Sequence, residues 1–220
     1  MATPQLTLSI GSRNYSSWSL RPWLALRLSG LAFETRLFDL KGPERAQIAS
    51  ASPSGLVPCL TVRPQGSPEY FVWDSLGICE FLAEMAPEAQ LWPAEPRARA
   101  WARSVSSEMH SGFAELRRTC PMDIVNRYPG HAINDETAKQ IARISKIWSE
   151  CREAHRDKGD FLFGSFSIAD CFYAPVVTRF HTYDVRLSGL AAEYAAAVRS
   201  WAAMQEWSAE AQREENARPT

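Results

Sequence analysis

The residues of this chain best placed to do chemistry are three serines in the run Asn14-Tyr15-Ser16-Ser17-Trp18-Ser19-Leu20-Arg21-Pro22-Trp23. A serine hydroxyl donates a hydrogen bond to an anion without itself ionising, so it can stabilise a negatively charged group that lands beside it. Its surroundings decide whether it does. Upstream, Leu6, Leu8 and Ile10 alternate with Gln5, Thr7 and Ser9, the pattern of a half-buried strand. Downstream, Leu24, Leu26, Leu28 and Leu31, with Arg21 and Arg27 between them, predict a helix. The serines therefore stand where a strand turns into a helix, at unpaired backbone N–H groups and the positive end of the helix dipole. Any one of them can cap the helix, and three leave at least one to meet a ligand. Pro22 fits the first turn, where it forfeits no hydrogen bond.

Further elements follow in order. Gly30 stops the helix, and Ala32 to Leu40 predicts a second strand. Lys41-Gly42-Pro43 turns the chain into a polar segment ending near Ser50. In Ser52 to Val62 a turn meets a strand that carries Pro58 at its start, so Val57-Pro58 is a candidate cis peptide. Gln65-Gly66-Ser67 forms a hairpin turn towards Tyr70 to Trp73, which pairs with Leu60 to Val62. Asp74 or Ser75 then caps a helix through Leu76, Ile78, Cys79, Phe81, Leu82 and Met85.

Pro87, Pro93 and Pro96 mark a linker, giving a mixed domain over 1–86, a linker over 87–96 and an all-helical domain over 97–220. Helical patterns there run from Arg97 to Arg118, Asn134 to Arg156, Ser167 to Tyr183, Ala191 to Met204 and Gln205 to Arg213. Cys120 to Ile133 is a long loop of the kind that covers a site. Ser167-Ile168-Ala169-Asp170 reads as a capping box and as a folding signal without chemistry.

With 24 basic against 25 acidic residues, nothing points to nucleic acid or an anionic membrane as partner. The five cysteines are spaced 20 or more residues apart with no C-x-x-C, which argues against a disulfide framework or a metal knuckle and for a reducing compartment. The amino terminus lacks a signal-like apolar run and no stretch reaches membrane-span length, so a cytoplasmic protein is expected. G-x-S-x-G, G-x-G-x-x-G, the P-loop and H-E-x-x-H are all absent, leaving hydrolase, nucleotide and zinc-protease readings without support. The eight tryptophans are expected in core and interface rather than stacked on bases.

In this order and spacing, Ser16-Ser17, Val57-Pro58, Asp74-Ser75 and the Ser167–Asp170 box make the chain resemble the cytosolic glutathione S-transferases over essentially its whole length. The resemblance implies an α/β thioredoxin-like N-terminal domain followed by an all-α C-terminal domain. Ser16-Ser17-Trp18-Ser19-Leu20-Arg21 is similar to the Ser-Ser-Cys-x-Trp-Arg motif of the zeta class and to a group of bacterial transferases, with Trp18 where the zeta class has cysteine. That replacement puts zeta-type isomerase activity in doubt, while conjugation, isomerisation and glutathione-dependent reduction all share the same first step.

By the same resemblance, Ser16 takes the place of the catalytic serine that contacts the glutathione sulfur, with its neighbour Ser17 as the alternative, and Trp18 stands beside the tripeptide. Val57, before Pro58, is expected to pair through its backbone with the cysteinyl part. Asp74 and Ser75 are expected to hold the γ-glutamyl end, and Lys41 either reaches the glycyl end or is a surface lysine. Met109, Phe113 and Arg117, at i, i+4 and i+8 of one helix, are either core or the wall of a second-substrate pocket. His110 is expected to be structural. The implied protein is a metal-free homodimer serving detoxification, with glutathione as co-substrate and a small apolar or aromatic electrophile. The rival reading is a non-catalytic binder of glutathione or a hydrophobic ligand on the same fold.

Overall fold

The computed structural model describes residues 3–39, 42 and 47–218. Strand β1 (Gln5–Ile10) turns Leu6, Leu8 and Ile10 into the core, as the alternation predicts. It lies between β2 (Glu34–Leu37), parallel to it, and β3 (Cys59–Arg63), antiparallel; β4 (Tyr70–Trp73) pairs antiparallel on the far side of β3. The second strand is shorter than its sequence pattern, covering only part of Ala32 to Leu40. The Val57-Pro58 peptide is cis.

Helix α1 (Ser17–Ser29) begins at Ser16, whose side chain accepts from Ser19 N, and ends at Gly30 in the left-handed conformation with φ 71°. It packs against both α3 (Ser75–Met85) and α7 (Ile168–Thr182). Burial on several sides explains why Leu20, Leu24, Ala25 and Leu26 are enclosed together with Arg21. A short α2 (Ile48–Ala51) precedes β3. One hydrophobic core runs from the sheet through α1 into the helical half.

That half contains α4 (Pro96–Ser111), α5 (Ala114–Thr119), α6 (Asp135–His155), α7, α8 (Gly189–Ser200) and α9 (Ala202–Asn216). The continuous helix predicted from Arg97 to Arg118 is two helices. Gly112 N donates to Glu108 O at 2.9 Å and closes α4, and Phe113 follows with φ 60°. A side-chain carbon at Gly112 would stand 2.7 Å from the Glu108 carbonyl, so this close ending needs glycine. The last helix break falls at Trp201, earlier than predicted, where the backbone extends and the indole stacks 3.6 Å from Phe166.

The predicted capping box is present. Ser167 N and Oγ donate to Asp170 Oδ2 at 2.8 and 2.9 Å, and Leu162 N donates to Oδ1 at 3.1 Å. Burial pushes the Asp170 carboxyl up to about 6 despite these donors. All five cysteines are buried free thiols. Among the described residues no helix is long and apolar enough to cross a membrane, and no group of acidic, histidine or cysteine side chains is arranged to hold a metal.

Candidate active site

Sheet register explains why residues far apart in sequence meet. Ile10 ends β1 beside Leu37, which ends β2; Cys59 begins β3 opposite Ser9; and Trp73 ends β4 opposite Cys59. The segments after β1, before β3 and after β4 therefore leave one end of the sheet together. Those segments carry Ser16 to Trp18, Val57-Pro58 and Asp74-Ser75.

The first segment is held from several sides. Asn14 Oδ1 accepts from the backbone of Ile124 and Val125 at 2.6 and 3.0 Å, which ties the long loop after α5 onto it. Trp207 Nε1 donates to Arg13 O at 2.9 Å, and Arg13 pairs with Glu214, so α9 braces the same turn. Ser16 Oγ lies 2.8 Å from Ser19 Oγ, which itself accepts from Gly11 N at 3.1 Å. Ser17 is buried, and its Oγ accepts from Arg179 Nη2 at 3.3 Å.

Three guanidiniums stand beside this segment, Arg179 on Ser17 and Arg21 and Arg117 over the Trp18 ring. Arg179 is 4% exposed and spends its other donors on the carbonyls of Cys120 and Pro175. Arg21 is fully buried with its guanidinium carbon 4.4 Å from the Trp18 ring centre and 4.7 Å from that of Phe172. Its Nε and Nη2 have no hydrogen-bond partner. Arg117 reaches Trp18 at 4.9 Å and donates to the carbonyls of Met109 and Gly112, leaving Nη1 unpartnered. None of the three has an ion pair among the described residues. Burial lowers all three from the usual arginine value, and Arg179 falls to about 10.

Beside them a cavity of about 550 Å³ is lined by Ser12, Tyr15, Ser16, Ser17 and Trp18, by Arg117, Pro121, Met122, Arg179 and Arg218, and by a single acidic residue, Asp39. The arrangement places hydroxyl donors, a helix N-terminus and fixed positive charge around one volume. Such a site is suited to binding an anion and stabilising it.

A family model for the glutathione S-transferase N-terminal domain matches residues 15–85, and one for the C-terminal domain matches residues 132–209. A probable maleylacetoacetate isomerase from Caenorhabditis elegans is 30% identical over 178 residues, covering 80% of this chain and 79% of that protein. The chain belongs to the glutathione S-transferase family. Glutathione transferase Omega 2S from Trametes versicolor, crystallised with 2,4-dihydroxybenzophenone, matches at TM-score 0.74 over 98% of each chain with 19% identity. A maleylacetoacetate isomerase from Anaeromyxobacter dehalogenans, with dicarboxyethyl glutathione and citrate in its active site, matches at TM-score 0.65 with 24% identity, covering 94% of this chain and 92% of that one. Both likenesses support a glutathione S-transferase fold.

Within this family member, of the residues expected to grip a tripeptide, Trp18 lines the cavity, whereas Val57, Pro58, Asp74 and Ser75 sit at the sheet end outside its lining. Val57 is half-buried against Phe38, Ile48 and Ala51. Asp74, rather than Ser75, is the cap of α3: its Oδ1 accepts from Leu76 N at 2.7 Å. Ser75 is buried with its Oγ 3.5 Å from Arg21 Nη1. Lys41 lies outside the described residues.

The second-substrate face needs correction. Met109 is fully buried in the core, and the turn at Gly112 and Phe113 removes Met109, Phe113 and Arg117 from any common helical face. Of the three, Arg117 lines the cavity. Arg179, Met122 and Arg218 were not anticipated from sequence. For Arg179 a signal existed, since it is a charged residue inside the strongly apolar run Phe172 to Phe180.

Proposed function

We propose that this chain is a glutathione-dependent transferase that binds reduced glutathione along the sheet end, holds its sulfur as thiolate at the start of α1 and presents it to a small electrophile in the adjoining cavity. The observation that carries this reading is the set of three guanidiniums, the buried Arg21 and Arg179 and the half-buried Arg117, gathered around Ser17 and Trp18 without an ion pair among the described residues. A buried cation with no counter-charge is costly, and an anionic ligand relieves that cost.

The hydroxyls divide the work. Gly11 N donates to Ser19 Oγ, so the Ser19 hydroxyl proton is free to go to Ser16 Oγ. Ser16 then turns its own proton towards the sulfur. Ser17, accepting from Arg179, likewise has its proton available. A free thiol ionises near 8.5, and each unit by which the site lowers that value corresponds to about 1.4 kcal/mol of thiolate stabilisation. Val57 pairs through its backbone with the cysteinyl part, Ser75 and the α3 N-terminus receive the γ-glutamyl carboxylate, and Asp74 faces its ammonium.

The cavity favours an electrophile with a conjugated body against Tyr15, Trp18 and Met122 and a carboxylate against Arg117 and Arg179. This refines the apolar or aromatic substrate expected from sequence. The dicarboxyethyl glutathione and citrate held by the Anaeromyxobacter isomerase support it. The thiolate electron pair forms the new C–S bond. The displaced electrons either leave with a departing group or pass into the conjugated system, which then takes a proton from solvent. Trp18, standing where the zeta-class motif has cysteine, favours transfer over isomerisation. Exposed Tyr70 and Trp73 on β4 support a second copy as partner.

The test is an ultraviolet titration of bound glutathione in the wild type, Ser16→Ala and Ser17→Ala. The reading expects a thiol pKa well below that of the free tripeptide, returning towards it in the serine variant that removes the donor. Binding with an unshifted pKa would leave a glutathione-binding protein without this catalysis.

A further inference from the structure

His110, near the end of α4, joins two elements of the other half of the molecule. Its Nδ1 lies 3.5 Å from Arg21 Nη1 and its Nε2 lies 3.4 Å from Asp74 Oδ2. Arginine only donates, so Nδ1 is the acceptor and the proton sits on Nε2, aimed at the carboxylate. The ring is walled by Trp18, edge-on at 5.3 Å, and by Phe172 at 5.9 Å. The charged groups facing it are Arg21 from α1, Arg117 from α5 and Asp74 at the start of α3. Burial, followed by the two arginines, lowers its pKa against the pull of Asp74, which keeps the ring neutral at physiological pH.

Asp74 needs such a partner. Its backbone has φ 66°, a conformation few side chains adopt, and one carboxylate oxygen is committed to capping α3. The other oxygen is the one His110 meets. With the Asp74 side chain about half exposed, a ligand ammonium can approach it while the imidazole holds the carboxylate in place.

We propose that His110 is a positioning residue for recognition of the γ-glutamyl ammonium: through Arg21 on one side and Asp74 on the other, the helical half fixes the carboxylate that receives this group. The inference rests on the glutathione reading above. It separates two parts of the γ-glutamyl end, because Ser75 and the α3 N-terminus serve the carboxylate whereas the Arg21–His110–Asp74 chain serves the ammonium.

The experiment compares calorimetric Kd values for reduced glutathione and for glutaryl-cysteinyl-glycine, which lacks only the amino group, in the wild type, His110→Ala, His110→Gln and Asp74→Asn. The wild type should prefer glutathione. His110→Ala should weaken glutathione about tenfold and leave the glutaryl analogue within about twofold, Asp74→Asn should show the same selectivity loss, and His110→Gln, which still accepts and donates, should recover most of it. The wild-type preference should also decline as pH falls below the usual imidazole range, because a protonated ring repels Arg21 and draws the Asp74 charge to itself. Equal weakening of both ligands in His110→Ala, or no weakening of either, overturns the proposal while leaving glutathione binding intact. Failure of the wild type to bind glutathione overturns the underlying reading as well.

Discussion

Arg179 Nη2 donates to Ser17 Oγ across 3.3 Å, linking α7 to the first turn of α1. The helical half thus supplies part of the site's charge directly. In Arg179→Met the kcat/KM for a chloronitrobenzoate should fall at least ~tenfold, the order expected when a charge-assisted hydrogen bond is lost. The value for neutral chlorodinitrobenzene should change by less than about threefold. Parallel losses on both electrophiles would remove the carboxylate-receiving role.

Arg21 poses a conflict between stability and ligand binding. It is fully buried, with two nitrogens unpartnered. Replacing it by methionine removes a desolvated charge while keeping much of the stacking volume between Trp18 and Phe172. Denaturant unfolding of Arg21→Met should show stability unchanged or raised by up to about 2 kcal/mol. Glutathione affinity measured on the same sample should fall, since Ser75 and His110 both lose their donor.

Asp170 ties folding to pH. Its carboxyl titrates near 6 in the folded chain against an ordinary 3.8, so the folded state binds more protons across that interval. The resulting contribution to stability is fully present below 3.8 and is lost as pH rises through about 6. The interval corresponds to on the order of 3 kcal/mol. The stability difference between wild type and Asp170→Asn, followed by thermal unfolding from acid to neutral pH, should shift against the wild type as pH rises. Asp170→Ala, which strips the acceptor from Ser167 N, Ser167 Oγ and Leu162 N, should cost about 2 to 4 kcal/mol.

Asn14 predicts a local effect. Its Oδ1 receives two backbone donors from the loop after α5, so Asn14→Ala should expose the Ile124 and Val125 amides. Hydrogen exchange at those amides should accelerate by an amount equivalent to about 1 to 3 kcal/mol, with helix α7 amides little affected. Uniform acceleration through the helical half would mean that the side chain supports the whole fold instead.

What could be read from the sequence was local. The alternation of Gln5 to Ile10, the stop at Gly30 and the Ser167–Asp170 box each express a constraint satisfied within a few residues, and each has its expected form. Gly112 carried the same kind of stop signal as Gly30, yet the apolar pattern on both sides hid it. The arginines are a different matter. Nothing near Arg179 in sequence indicates that it meets Ser17, because that contact exists only once α7 packs on α1. Likewise the common end of the sheet follows from register across three strand pairs, which periodicity within one strand does not encode.

The burial of every cysteine has a further meaning for a molecule whose proposed co-substrate is a thiol. Mixed-disulfide exchange requires a sulfur that an incoming disulfide can reach in line, and here each one is enclosed by packed side chains. Burial also raises the pKa of all five, keeping them as thiols rather than thiolates. Oxidised tripeptide in the surroundings then meets no exposed cysteine among the described residues, so the folded chain resists capture as a mixed disulfide.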